Sequence, residues 1–440
     1  MQTTELERPR FSGGTATVLT MLGVAVGLGN VWRFPYMMGR NGGSAFLVVY
    51  VLFMLCLGIP ALMAEWAFGR ATRRGPLGAF SAAFGPRIGR PVGTLLLLAI
   101  LVANSYYLVI IANVVYTTFF SVVQGFGPDT AAAFQGGLDN GYLQYALALG
   151  VLLLSVWVLH LGLHRGIETA SKLFVPFFGV VVLYLVFHAL SLDGALQAFG
   201  EFLRPDFSQI GAKQLFAAMG QAAFSVGLGG TLMLVYGSYL GDDERLGRSA
   251  LLTGLGDTGA ALLASLFLVP TMLVFGLDMT SGPALLFTTL PELFQVMPAG
   301  RVLGSLFLLS LSCVAFLSNV AALEAFVGGL GGSGGWSRRR LLVAVLALES
   351  LLILPSALRP SIIPHLDLVF GSGMMMLGSA LAVIGITWGL GHNILPQQMS
   401  NSLPASWAPA YLLWVRWVVP AVLLLLLAGY VYSSLFPGGG

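Results

Sequence analysis

Val26-Gly27-Leu28-Gly29 recurs as Val226-Gly227-Leu228-Gly229, and each copy falls in the middle of a long apolar stretch. A glycine in a helix interior costs about 1 kcal/mol relative to alanine. Breaking a helix inside a bilayer frees backbone N–H and C=O groups, which persist only where they line a protein-enclosed cavity. Small residues also let helices pack closely, and that would account for one such run. Two identical runs at corresponding places in two halves of a chain point instead to a central binding site built from two interrupted helices, as in a transporter.

The rest of the chain agrees with a membrane setting. Hydrophobic residues make up 57% of it and charged residues 9%, against about 25% charged in soluble domains. Apolar runs recur from end to end and are far longer than the ~10-residue strands of outer-membrane barrels. The fold class expected is therefore an all-α bundle of transmembrane helices. Eleven spans fall near 13–40, 43–70, 91–123, 141–163, 166–190, 213–240, 247–277, 301–327, 339–357, 361–391 and 407–435, numbered one to eleven below. Residues 1–440 are expected to form a single domain, that of a transporter if the two breaks build one site. The external segments 191–212 and 278–300 are long enough to hold short helices over an entrance. Gly328 to Gly335 reads as a linker, since its glycine pattern follows no strand. Gly438-Gly439-Gly440 reads as an added tail.

Orientation follows from the basic residues. Arg8 and Arg10, then Arg70, Arg73, Arg74, Arg87 and Arg90, Arg165, Arg245 and Arg248, and Arg338 to Arg340 all belong to one side. The opposite loops hold Arg204, Lys213 and Arg359 among Asp129, Asp139, Asp193, Glu201 and Asp206. The amino terminus is thus expected in the cytoplasm and, after an odd number of spans, the carboxyl terminus outside. The opening twelve residues are no signal peptide. Cys56 and Cys313 lie within apolar spans and read as small buried hydrophobes. The net charge of +3 is small and spread over loops, which offers no face to nucleic acid.

An interrupted helix presents N–H groups at one end and carbonyls at the other, suited to a carboxylate and to a hard cation respectively. Around the first break the candidate ion ligands are the carbonyls of Gly23, Ala25 and Val26 and the Asn30 amide oxygen; around the second, Ser225. Ionisable residues inside spans carry a functional hypothesis by default. Arg33 and Asp367 lie toward the outer ends of spans one and ten, where they either form a gate or reach the interface. Asp257 is deep in span seven and must face a cation or hold a proton. Glu65 is expected to pack or to satisfy N–H groups of a broken helix, and Glu324 has no assigned role.

The stretch Gly27-Leu28-Gly29-Asn30-Val31-Trp32-Arg33-Phe34-Pro35-Tyr36, followed by Asn41-Gly42-Gly43, Gly58-Ile59-Pro60, Glu65-Trp66-Ala67-Phe68-Gly69-Arg70 and Gly220-Gln221-Ala222-Ala223-Phe224-Ser225, resembles the neurotransmitter:sodium symporter family. The similarity is strongest to its prokaryotic amino-acid transporters, with the leucine-transporter type of fold. The resemblance implies two inverted five-helix repeats, 13–190 and 213–391, with spans one and six unwound and 407–435 as an extra helix. It implies sodium-coupled import by alternating access in a prokaryotic inner membrane. The substrate is expected to be an amino acid, with no obligatory protein partner.

The resemblance further implies two sodium positions. The first would use the Ala25 carbonyl, Asn30, Ser225 and a span-seven oxygen; the second, the carbonyls of Gly23 and Val26 with hydroxyls of span eight. Ser312-Cys313 and Ser318-Asn319 compete for the span-eight motif, and Ser318 with Asn319 is preferred. Substrate would meet Ala25, Gly27, Gly29, Tyr107, Ser225 and Ser318, with Phe224 closing over it. Monoamine carriers of this family hold an aspartate where this chain has Gly27, so an α-amino acid is expected. Ala103, Gly227, Gly230 and Phe224 would line a roomy side-chain subsite for a large apolar or aromatic group.

Tyr50, Gln221 and Ser225 match the family's chloride set, and Asp257 would either replace the anion or serve as a sodium ligand. Either placement supplies a fixed negative charge, so transport should not require chloride. Arg33 with Asp367 would gate the outside, Arg8 with Tyr239 the inside. No acid lies between Ala325 and Ser337, which leaves Glu324 as the alternative acid of the inner gate.

Other classes fit less well. A channel needs a filter of carbonyl or charged rings, and none recurs. Hydrolase and zinc motifs are missing, and His160, His164, His188, His365 and His392 lie near span ends. An amino-acid sensor with the transporter fold, or a sodium-coupled carrier of another small zwitterion or amine, stays open on sequence alone.

Overall fold

A computed structural model describes residues 9–278, 282, 285–331, 336–402 and 406–435. Among the described residues the chain is helical and contains no strand. Among the described residues nine helices are long and apolar enough to cross a membrane: Ser44–Thr72, Pro86–Val123, Gly141–His160, Leu163–Leu190, Leu246–Phe275, Gly300–Leu330, Arg338–Leu358, Pro360–Gly389 and Ala408–Tyr432. Gly14–Ala25 and Gly29–Arg40 make a further span bent by 62°. The expected span six is two shorter helices, Ala212–Ser225 and Leu232–Gly237, on either side of residues 226–231. The eleven expected spans are consistent with this set.

The length of span three sets it apart. At ~1.5 Å per residue, the 38 residues of Pro86–Val123 far exceed the ~30 Å hydrocarbon thickness, so this helix projects beyond the lipid. Both long external segments carry helices as expected, Ala195–Phe202 and Leu285–Val296. Span eight continues to Leu330, so the first glycines of the expected linker are helical. Residues 332–335, Gly438 to Gly440 and Arg8 lie outside the described residues.

Burial separates scaffold from shell. In the most apolar window of span three 72% of residues are buried, and in span eight 67%, against 33% in spans four and five and 28% in span eleven. The outer spans instead expose Leu153, Trp157, Val180, Phe187 and Leu425, the pattern of a helix facing acyl chains. The core is closed by backbone approach as much as by side chains. A Cβ at Gly69 would lie 1.9 Å from the Leu234 carbonyl oxygen, so span two and the inner half of span six touch through glycine, a common device between membrane helices. The fully buried Trp66, Phe68 and Tyr236 fill the remaining space on the same two elements.

Candidate functional site

Span one ends its first helix at Ala25. Val26 is extended (φ −71°, ψ 122°), and helical geometry resumes at Gly29. The freed groups are handled locally. The Gly27 N–H donates to the Asn30 side-chain oxygen at 3.0 Å, and the Asn30 N–H donates to the Gly27 carbonyl at 3.2 Å. Span six breaks after Ser225, and Gly227 and Gly230 both take φ of +67°, a conformation that costs other residues dearly. The N–H groups of Gly229 and Gly230 donate to the two Glu65 carboxylate oxygens, each at 3.0 Å. Glu65 thus caps the second break, one of the two structural roles expected of it.

The two breaks meet. Asp257 joins them: Asn30 Nδ2 donates to its Oδ1 at 2.7 Å and to its backbone carbonyl at 3.1 Å, and Ser225 Oγ donates to Oδ2. Asn30 and Asp257 are buried to 2% and 0% exposure, Ser225 to 6%. Ser318 Oγ reaches the Val26 carbonyl at 3.3 Å. A Cβ on Gly27 would lie 2.8 Å from Ser318 Oγ and 3.4 Å from the Tyr107 hydroxyl, and one on Gly29 would lie 3.0 Å from the Phe224 ring. Spans one, three, six, seven and eight therefore converge on one small volume, walled by backbone polar groups on one side and hydroxyls on the other. Ala103, one turn before Tyr107 on span three, is buried.

The position of Asp257 addresses the question of register. Its carboxylate touches Asn30 and Ser225, the groups expected around the first sodium. The next residue, Thr258, takes the Tyr50 hydroxyl at 3.5 Å. Gln221 is buried with neither side-chain polar atom bonded among the described residues. Of the expected chloride-replacing set, Asp257 is therefore in direct contact with Ser225.

Three of the expected site residues or pairs make contacts that the sequence did not foretell. Asn319 Nδ2 donates to Ser155 Oγ of span four at 2.6 Å, while its Oδ1 is buried with no partner among the described residues, and Ser318 faces the break. Gly230 does not widen a subsite: a Cβ there would lie 2.3 Å from the Gly378 carbonyl oxygen, so the missing side chain admits span ten, not ligand. The Arg33 guanidinium lies over the Phe224 ring, 4.0 Å from its centroid, while Asp367 accepts from the Tyr106 hydroxyl at 2.9 Å. Among the described residues no ion pair joins Arg33 to Asp367. Beneath Arg33, Phe224 and Leu228 a cleft opens against Met375 and Met376 of span ten. Sequence reasoning missed these methionines, which look like any others in an apolar span.

On the inner side Tyr239 donates to Glu324 Oε1 at 2.6 Å, and Arg338 holds Glu324 Oε2 at 2.6 Å. Arg338 also donates to the Leu159 carbonyl at 3.0 Å. The Phe11 ring lies against Tyr236 and Tyr239, with centroids 6.4 and 6.2 Å away. Glu324, the alternative acid expected for the inner gate, thus pairs with Arg338 from the start of span nine. The three arginines at 338–340 had served only as a topology signal. In the loop after span six, the Arg73 guanidinium holds the Asp242 carboxyl below its ordinary range.

The model of the sodium:neurotransmitter symporter family matches residues 8–131 and 126–435. The chain belongs to that family. As a sodium:neurotransmitter symporter family member it is a multi-pass membrane protein and a sodium-coupled secondary transporter, not an enzyme. It is 31% identical over 423 residues to an uncharacterised sodium-dependent transporter of Methanocaldococcus jannaschii, covering 90% of this chain and 85% of that one. It is 27% identical to the human sodium- and chloride-dependent creatine transporter 1, over 71% of this chain and 58% of that one. Among solved structures, MhsT in complex with L-phenylalanine superposes with a TM-score of 0.86 at 28% identity, over 96% of this chain and all of MhsT. The unwound first and sixth spans of this symporter belong to that shared fold.

Proposed function

We propose that this symporter imports an α-amino acid with a large apolar or aromatic side chain, driven by sodium, through the volume between the two helix breaks. The observation that carries the reading is the close approach of Gly27 to the Ser318 and Tyr107 hydroxyls, with Asp257 tying both breaks together. A side chain at position 27 would displace these groups. Substrate carboxylate meets the Tyr107 hydroxyl and the N–H groups of the first break, its ammonium meets carbonyls at Ala25 and beyond, and Phe224 under Arg33 closes the outer side. The similarity to MhsT, described with L-phenylalanine, supports the substrate class. The first sodium takes the Ala25 carbonyl, Asn30, Ser225 and Asp257; the second takes the carbonyls of Gly23 and Val26 with Ser318. Asp257 supplies a fixed negative charge, so chloride is dispensable. The repeats are 13–190 and 213–391, and the membrane is a prokaryotic plasma membrane with the amino terminus in the cytoplasm.

A thermal-shift screen of the proteinogenic amino acids tests this in one experiment. A ligand at a hundred times its Kd stabilises the folded state by about 2.7 kcal/mol. Shifts are expected for large apolar amino acids in sodium and not in potassium; equal shifts in both salts reject the coupling. Binding without accumulation in reconstituted vesicles would favour a sensor.

A further inference from the structure

Glu349 lies in the middle of span nine, Arg338–Leu358, with 0% of its side chain exposed. Asn104 of span three, 3% exposed, donates to Glu349 Oε1 at 3.1 Å. Glu349 Oε2 and Asn104 Oδ1 are both buried and, among the described residues, neither has a hydrogen-bond partner. Two side chains already joined by one hydrogen bond therefore each keep an acceptor with no donor.

Among the described residues no cation answers the carboxylate. On span three the titratable groups are Arg87, Arg90, Tyr106, Tyr107 and Tyr116; on span four, Tyr142, Tyr145 and His160; on span eight, Arg301, Cys313 and Glu324. None of these bonds to Glu349. Tyr106 donates to Asp367, Tyr145 to the Ser350 carbonyl, Glu324 is held by Arg338, and Arg301 reaches the carbonyls of Val122 and Val123. Arg338, Arg339 and Arg340 sit at the cytoplasmic end of span nine and Arg359 just beyond its other end. A buried carboxylate with one neutral donor and no counter-charge is among the most costly arrangements a bilayer protein can hold. One proton on Oε2 removes the charge and turns that unpartnered acceptor into a donor.

We propose that Glu349 and Asn104 form a proton-binding site, in which Glu349 is a neutral carboxylic acid that fastens span three to span nine. Its ligand is the proton alone, exchanged with solvent as carboxylate plus H⁺ against carboxylic acid. The site is separate from the sodium and substrate groups, but Asn104 directly follows Ala103 and lies one turn from Tyr107, so its state bears on the wall of the central volume.

Infrared spectroscopy of the purified protein reads this directly. The carbonyl band of a protonated carboxylic acid is expected in the wild type and should be lost in Glu349→Gln; if that substitution removes carboxylate absorption instead, the proposal fails. Apparent stability gives an independent reading. Above the ordinary glutamate range, with its pKa near ~4.3, the unfolded chain releases the Glu349 proton while the folded chain keeps it. The folded-to-unfolded ratio of the wild type relative to Glu349→Gln should therefore fall about tenfold per pH unit there. Parallel pH profiles for the two proteins overturn the assignment. Should Glu349→Gln not fold, Asn104→Leu decides: removing the amide must shift the acid band, and an unmoved band rejects the pairing.

Discussion

Asp257 has three hydrogen bonds to carry, from the Asn30 amide twice and from Ser225, and no formal cation among them. These donors are neutral, so the proposed sodium would supply the positive charge that a buried carboxylate requires. Asp257→Asn should keep the geometry and remove the charge. The expected outcome is uptake that becomes stimulated by chloride, measured at saturating sodium; chloride-indifferent uptake by this variant would show that the charge lies elsewhere. Asn30→Ala should raise the sodium concentration needed for half-maximal uptake by tenfold or more, and should also lower Tm, because each buried partner left unsatisfied costs about 1–3 kcal/mol. The residues at this scale were legible where backbone chemistry demanded them: broken-helix carbonyls, an amide beside a glycine, an acid deep in a span. The role of Gly230 was not legible. Whether a glycine makes room for ligand or for a neighbouring helix is set by the partner element rather than by the local sequence.

The second break is held open by a group from another helix. Glu65 on span two receives the two N–H groups of Gly229 and Gly230, so Glu65→Gln, which puts an NH₂ against one of them, should cost about 1–3 kcal/mol and appear as a lowered Tm in detergent. Gly230→Ala adds a left-handed strain of about 1–3 kcal/mol to a contact 2.3 Å from the Gly378 carbonyl. It is expected to destabilise far more than Gly259→Ala in span seven, where a Cβ meets nothing within 4 Å. A helix-interior exchange of that kind gains up to ~1 kcal/mol. Equal effects of the two would mean that span ten does not press on the second break. The elements themselves were readable, since apolar length and the repeated glycine pair name the spans and both interruptions. The glycine pair marks the second interruption but not that the inner end of span six is only Leu232–Gly237, because hydropathy averages across a break without registering where the helix resumes or stops.

Alternating access asks that one side be closed while the other opens, and on the side proposed to face the cytoplasm Tyr239, Glu324 and Arg338 are joined to one another. Glu324 is 2% exposed in its side chain and Arg338 40%, so solvent screens the pair from one end and its worth is less than that of a fully buried bridge. Taking ~1–2 kcal/mol as the loss, Arg338→Ala should shift the balance toward the inward-open state roughly five- to thirtyfold. Ser171, buried on span five beside Gly23, offers a reporter on the inner path. With Cys56 and Cys313 replaced by alanine, Ser171→Cys should react with a water-soluble thiol reagent several-fold faster once Arg338→Ala is added. Sodium should slow that reaction by favouring the outward-facing state, which binds it. An unchanged labelling rate would mean that the inner side is sealed by the aromatic packing of Phe11 on Tyr236 and Tyr239 rather than by the charge pair, and Phe11→Ala would then be the substitution that opens it.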